Sequence, residues 1–206
     1  MKMSGEDRFQ LILVRHGLTD WNVDRRLLGR VDIGLNEAGR EQALAAAGAL
    51  RSFPVRAVLS SPQVRARETA DPIADALGLE IEVEPDLDEV WLSEAWQGRT
   101  VDELRDDAEM ERFLSDPSRR SARIEPIEDV QGRAVAAVER LRRDRAGETV
   151  VVVSHGDPLR AIVAYYVGLP LADFRRLLID NGSVSLVRFH ARGPQLAILN
   201  WRPTLR

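Results

Sequence analysis

Apolar residues along this 206-residue chain fall into two kinds of run. Short continuous ones read as buried strands over 9–14, 57–60 and 150–154. Residues 80–83 alternate like a short edge strand, and 184–189 and 196–201 read as late strands. Longer stretches with apolar positions three and four apart predict helices over 36–51, 63–77, 101–114, 129–145 and 158–167. Leu35, Ala38, Leu44, Ala47 and Leu50 share a face of the first, and Pro72 is a candidate interruption of the second. The fourth turns Val130, Ala134, Val138 and Leu141 inward and a dense Arg/Glu face outward. Strands alternating with helices predict a three-layer α/β/α sandwich with a mainly parallel central sheet. Residues 84–127 are the least regular stretch. They read as a cap or insertion over the site, within a single domain spanning 1–206.

Two of the strands end alike. The first delivers Arg15-His16-Gly17 and the 150–154 strand delivers Ser154-His155-Gly156. An imidazole can act as a nucleophile. A guanidinium can grip a phosphate or carboxylate through two parallel hydrogen bonds. Gly17 is expected to let the backbone approach a ligand closely. In open α/β sheets ligands bind at the carboxyl ends of strands, so position and chemistry agree. The chain has only three His residues, and two of them stand at strand-end His-Gly positions. His190, in a late strand, reads as structural. After the second motif, Pro158 suits a first helical turn with Asp157 as its N-cap.

Composition narrows the picture. A net charge of −4 and 44% hydrophobic residues describe an ordinary globular chain. Mild acidity argues against nucleic-acid binding, so an anionic substrate has to be drawn by a local arginine cluster. The absence of Cys removes disulfides, thiolate metal sites and Cys nucleophiles, and no metal-ligand spacing stands out. No signal-peptide core precedes the first strand and no apolar run reaches membrane-spanning length, so no membrane partner and a cytoplasmic location are expected. A homodimer is the default oligomeric expectation. Lys2 is the sole Lys, a bias that spans the chain and reads as genome composition.

Ordered motifs then carry a specific resemblance. Residues 13–22, Leu-Val-Arg-His-Gly-Leu-Thr-Asp-Trp-Asn, resemble the first motif of the histidine phosphatase superfamily, the phosphoglycerate mutase-like group. Residues 29–39 resemble its loop into the first long helix, and 60–70 its segment carrying a second phosphate arginine. Leu87-Asp88-Glu89 resembles its acid motif, Ser154-His155-Gly156 its second histidine motif, and 181–185 its turn into a late strand. The resemblance runs from about residue 9 to about residue 201, over the small bacterial-type phosphatase branch.

The resemblance implies a metal-independent phosphomonoesterase, needing no cofactor, that acts on a small phosphorylated metabolite through a phosphohistidine. It makes His16 the nucleophile and Arg15, Arg65 and His155 the phosphate pocket, with Gly156 and Asn22 as further donors. Arg67, two positions from Arg65, faces another way. Glu89 becomes the proton donor and later the base, its pKa lifted by partial burial or by neighbours such as Asp86 and Asp88. Leu28 and Gly29 belong to the substrate loop, where many relatives carry Gln in place of Leu28. Residues 90–98 depart from the usual Trp-Glu-Gly pattern and predict a remodelled loop. Trp91 and Trp96 read as pocket wall and suggest tolerance for an apolar or aromatic leaving group. A cofactor-dependent phosphoglycerate mutase and an inactive phospho-ligand-binding relative stay as alternatives. The mutase motif Glu-Arg-His-Tyr-Gly is absent.

Overall fold

Thr149–Ser154 forms a strand buried at every position, and the rest of the molecule is arranged around it. The computed structural model describes residues 9–116 and 120–204. Its strands are β1 (Gln10–Arg15), β2 (Val55–Ser60), β3 (Ile81–Val83), β4 (Thr149–Ser154), β5 (Val184–His190) and β6 (Gly193–Trp201). The six form one sheet in the order β3-β2-β4-β1-β5-β6. The β3/β2, β2/β4 and β4/β1 pairs are parallel, whereas β5 runs antiparallel to β1 and to β6. The mainly parallel sheet is as expected from the sequence.

Period-2 alternation divides the sheet's two faces between two helical layers. Ile12, Val14, Val58, Val151 and Val153 pack with Ala46, Ala47 and Leu50 of α2 (Glu37–Leu50) and Ala66, Ala70 and Ile73 of α3 (Val64–Leu77). Leu11, Leu13, Leu59, Val150 and Val152 pack with Ala134, Val138 and Leu141 of α5 (Ile127–Asp144) and Leu159, Ile162 and Tyr166 of α6 (Gly156–Val167). The remaining helices are short: α1 (Asp20–Val23) and α4 (Ala108–Ser115).

Register decides where the functional ends lie. Arg15 sits opposite Ser154, and Ser60 opposite Val153. The residues that follow, His16, Ser61 and His155, therefore emerge at one edge of the sheet. His16 N donates to Ser154 O at 2.9 Å and Ser61 N to Val153 O at 3.0 Å, so the pairing continues one residue past each strand.

Several expectations change for local reasons. Pro72 lies inside α3 without interrupting it. Residues 101–114 are not one helix but a 3₁₀ turn, Asp102–Leu104, followed by α4. Two start signals compete there: Thr100 and Glu103 exchange backbone-to-side-chain hydrogen bonds at 2.8 and 3.1 Å, and Asp107 Oδ1 then accepts from the Glu109 and Met110 amides. The cap of α6 is His155 rather than Asp157, which lies within the first turn and pairs with Arg160 at 3.0 Å.

Gly17 also serves a different purpose from the one expected. A Cβ there would stand 2.4 Å from Gly39 O, and one on Gly39 would stand 2.1 Å from Leu18 O. The two glycines let α2 dock its first turn against the His16 loop. The close approach is backbone to backbone, not backbone to ligand.

Candidate active site

His16 is 2% exposed, and its ring is oriented by its own loop. Nδ1 lies 2.7 Å from Gly17 O, which can only accept, so the proton sits on Nδ1 and Nε2 keeps its lone pair. The loop is clamped from the β5 side. Gly182 N reaches the carbonyls of Arg15 and His16 at 3.1 Å each, and Asn181 Nδ2 donates to His16 O at 3.1 Å. From α3, Thr69 Oγ1 accepts from Gly17 N at 3.0 Å while donating to Arg65 O at 2.7 Å.

Cations surround the imidazole. Arg15 donates through Nη1 to Ile179 O at 2.7 Å, and Arg65, wholly buried, through Nη1 and Nη2 to Val31 O and Gly29 O at 2.8 Å each. The Nε atoms of both arginines, and Nδ1 of His155, are buried without a protein partner. Burial first, then Arg65 and Arg15, hold the His16 pKa well below its usual value. His155, 5.1 Å away ring to ring, is lowered by burial and by Arg65, His16 and Arg15. Burial likewise lowers Arg65, and it brings Arg15 down to about 10, with Arg160 contributing. Both imidazoles are thus neutral at physiological pH, the state a nitrogen nucleophile requires.

The other sequence-predicted residues converge on the same cleft. Arg15, His16, Asn22, Leu28, Gly29, Glu89 and Gly156 all line a cavity of about 200 Å³; Arg65 and His155 are fully buried and are not among its lining residues. Asn22 caps α1 with Thr19, accepting through Oδ1 from Thr19 N at 3.2 Å and Thr19 Oγ1 at 3.0 Å. Its Nδ2 is the donor it has left for the cleft. Arg67 is exposed. Among the described residues no group of three His, Asp or Glu side chains is placed to hold a metal.

Glu89 stands across the cleft in the 84–127 segment. Burial, then the Asp157 carboxylate, pushes its pKa up to about 7 against the pull of Arg65 and Arg15. The helpful neighbour is Asp157, not Asp86 or Asp88. Asp86 pairs with Arg140 at 2.7 Å, and Asp88 faces Arg30 at 3.3 Å and His155 Nε2 at 4.0 Å. Trp96 is fully buried and lines the cleft, but Trp91 is 43% exposed and forms no part of the wall.

Sequence reasoning missed the residues that hold these groups in place. Ser61 Oγ lies 2.7 Å from His155 Nε2 and donates to Asp88 Oδ1 at 3.4 Å. It follows β2 as His16 follows β1, so aligning the strand ends would have found it. No pattern announced Arg133 of α5. That guanidinium donates to the carbonyls of Asp86, Asp88 and Glu89 at 2.8, 2.6 and 3.1 Å and forks onto Glu125 at 2.9 and 3.1 Å. Arg30 adds bonds to Glu89 O at 2.9 Å and to Glu125 at 3.0 Å.

Arg133 is therefore the positioning residue of the Glu89 strand of chain. Lysine keeps the charge but cannot reach three carbonyls and a carboxylate together. Arg133→Lys is expected to lower kcat/KM for an alkyl phosphate about 10²-fold through misplacement of the acid. On p-nitrophenyl phosphate, whose leaving group needs no proton, kcat/KM should hardly change. Equal losses on both esters would show that Arg133 serves stability alone.

Comparisons with known proteins agree with this geometry. A profile of the histidine phosphatase superfamily (branch 1) matches residues 11–202. The bifunctional protein Rv2228c of Mycobacterium tuberculosis is 38% identical over 187 residues, covering 89% of this chain and 51% of that one. This chain thus spans about half the length of the mycobacterial relatives it matches. A probable phosphoglycerate mutase GpmB from Photorhabdus laumondii is 35% identical over 191 residues, covering 91% of this chain and 88% of that one. The solved mycobacterial glucosyl-3-phosphoglycerate phosphatase Rv2419c with VO3 superposes with a TM-score of 0.85 at 31% identity, over 93% of this chain and 99% of that one. With two strand-end histidines, the arginines beside them and an acid lining the same cleft, the chain belongs to the histidine phosphatase superfamily, branch 1.

Proposed function

We propose that this chain hydrolyses phosphomonoesters of small metabolites, in the cytoplasm, through a covalent phosphohistidine on His16. The observation that carries this reading is the orientation of His16. Nδ1–H is spent on Gly17 O, and the Nε2 lone pair is left beside Arg15 and Arg65.

In the first step Nε2 attacks phosphorus while the ester P–O bond breaks, and protonated Glu89 gives its proton to the departing alkoxide. In the second, the Glu89 carboxylate takes a proton from water, the resulting hydroxide forms a new P–O bond and the N–P bond breaks. Inorganic phosphate leaves with His16 restored. Arg15 and Arg65 offset the charge on the phosphoryl oxygens through both steps, with the Asn22 amide as a further donor and His155 completing the pocket, so no step is assigned to a metal. Charge-assisted bonds of this kind contribute about 1.5–3 kcal/mol each. They accelerate the reaction only as far as they tighten in the transition state.

The mutase named among the relatives is the second reading. A mutase must hold its second phosphoryl or carboxyl group long enough to return the first. Of the further cations lining the cleft, Arg160 pairs with Asp157 at 3.0 Å, and Arg26 donates to Gly98 O at 2.7 Å. Incubation with 2,3-bisphosphoglycerate and 3-phosphoglycerate, with a chelator present, separates the two. Phosphate release faster than interconversion of the phosphoglycerates is expected. Faster interconversion would establish the mutase.

A further inference from the structure

The polar end of the cleft is accounted for by the phosphoryl group; the opposite end is not. Its wall is carbon. Leu27 and Leu28 come from the loop after α1, and Leu92, Trp96, Met110 and Phe113 from the 84–127 segment. The Trp96 indole N–H is already donated to Asp107 Oδ2 at 3.0 Å, so the ring offers no donor to a ligand. Phe113 is fixed in place rather than loosely hung. The Arg175 guanidinium lies 4.1 Å from its ring centroid and donates to the carbonyls of Phe113 and Leu114 at 2.8 and 3.3 Å.

The charged groups that line the rest of the cleft are each anchored on protein. Arg26 is engaged with Gly98 O at 2.7 Å and lies 3.5 Å from Asp24. Arg160 is held by Asp157 and by Leu177 O, each at 3.0 Å. A carboxylate or phosphate laid against this wall would give up its water to a carbon surface and gain no donor from it. A hydroxyl group laid against this wall would surrender water and find no partner there, a loss that discriminates strongly. The cavity, about 200 Å³ in all, compares with the roughly 150 Å³ apolar cavity that accepts benzene. The phosphoryl position takes part of that volume, so a ring or short branched chain fits where it extends toward the open mouth of the cleft.

Resting on the reading that His16 cleaves phosphomonoesters, we propose that the leaving group selected here is a small apolar or aromatic alcohol carrying no charge of its own. Leu28 is the specificity residue, since it lines the cavity beside Gly29 and a polar side chain there would supply a donor.

The test compares kcat/KM for 2-phenylethyl phosphate, O-phospho-L-serine and 3-phosphoglycerate, all esters of primary alcohols, in the full chain and in Leu28→Gln. The unsubstituted chain is expected to favour 2-phenylethyl phosphate by on the order of 10²-fold. Leu28→Gln should shrink that ratio about tenfold by offering the polar esters a hydrogen bond. Equal or reversed preference in the unsubstituted chain overturns the proposal while leaving the phosphatase reading intact. A ratio unchanged in a folded Leu28→Gln overturns the role of Leu28. Release of no phosphate from any of these esters or from p-nitrophenyl phosphate overturns the reading on which the proposal rests.

Discussion

Replacing His16 with Ala is expected to lower phosphate release from every ester by on the order of 10⁴- to 10⁶-fold, the range seen when a covalent nucleophile is removed. No neighbour can substitute. His155 is wholly buried, with Nε2 engaged by Ser61 Oγ at 2.7 Å. The phosphate grip should survive, because Arg15 and Arg65 anchor themselves on the carbonyls of Ile179, Val31 and Gly29 and not on His16. Substrate binding by His16→Ala, measured by calorimetry, should therefore persist while turnover vanishes. Loss of binding together with turnover would mean that His16 holds the pocket together rather than reacting in it.

Glu89→Gln is expected to cost about 10²- to 10⁴-fold in kcat/KM for an alkyl phosphate, the range of general acid catalysis. For p-nitrophenyl phosphate the first chemical step should hardly slow, since nitrophenoxide departs unprotonated. Its turnover should still fall, because Glu89 also activates the water that attacks the phosphohistidine, and a burst of nitrophenol should precede a slow steady state. The pH dependence follows from the same carboxyl group. Glu89 acts as an acid only when protonated, and its pKa is pushed up to about 7. Activity on alkyl esters should fall above pH about 7, and Glu89→Gln should remove that limb. Asp157 raises the Glu89 pKa, so Asp157→Asn should move the limb to lower pH.

The same group has a stability cost with a fixed sign. A carboxyl whose pKa rises from 4.5 unfolded to about 7 folded loses folding free energy between those pH values and stays penalised above them. The penalty is about 3 kcal/mol at most. Glu89→Gln should therefore melt higher than the unsubstituted chain at pH 8 and much less so at pH 5. An acid kept in a buried cleft for catalysis is an instance of stability given up for activity.

What the sequence made legible was whatever depends on local pattern. β1 and β4 are continuous apolar runs ending in His, and their register places both imidazoles at one edge of the sheet. Arg65 and Arg67 could be separated by helical geometry alone, and only Arg65 is buried. The illegible parts depend on pairs distant in the chain. Asp157, 68 positions after Glu89, raises its pKa, whereas Asp86 and Asp88, its sequence neighbours, are engaged elsewhere. Arg133 looked like one more charge on a dense Arg/Glu helix face, yet it reaches the carbonyls of Asp86, Asp88 and Glu89. Gly17 looked like a ligand contact, because the sequence gives no sign that Gly39 O would stand 2.4 Å from its Cβ position.

The most direct measurement is ³¹P NMR of the enzyme quenched in alkali during turnover of p-nitrophenyl phosphate by Glu89→Gln, in which the covalent species should accumulate. The Nδ1 proton held by Gly17 O at 2.7 Å leaves only Nε2 to react. The account predicts a single phosphoramidate, alkali-stable and acid-labile, bonded to Nε2 of His16 and absent from the Glu89→Gln chain that also carries His16→Ala. A phosphoryl group on Nδ1, on another residue, or on none while phosphate is still released would contradict it.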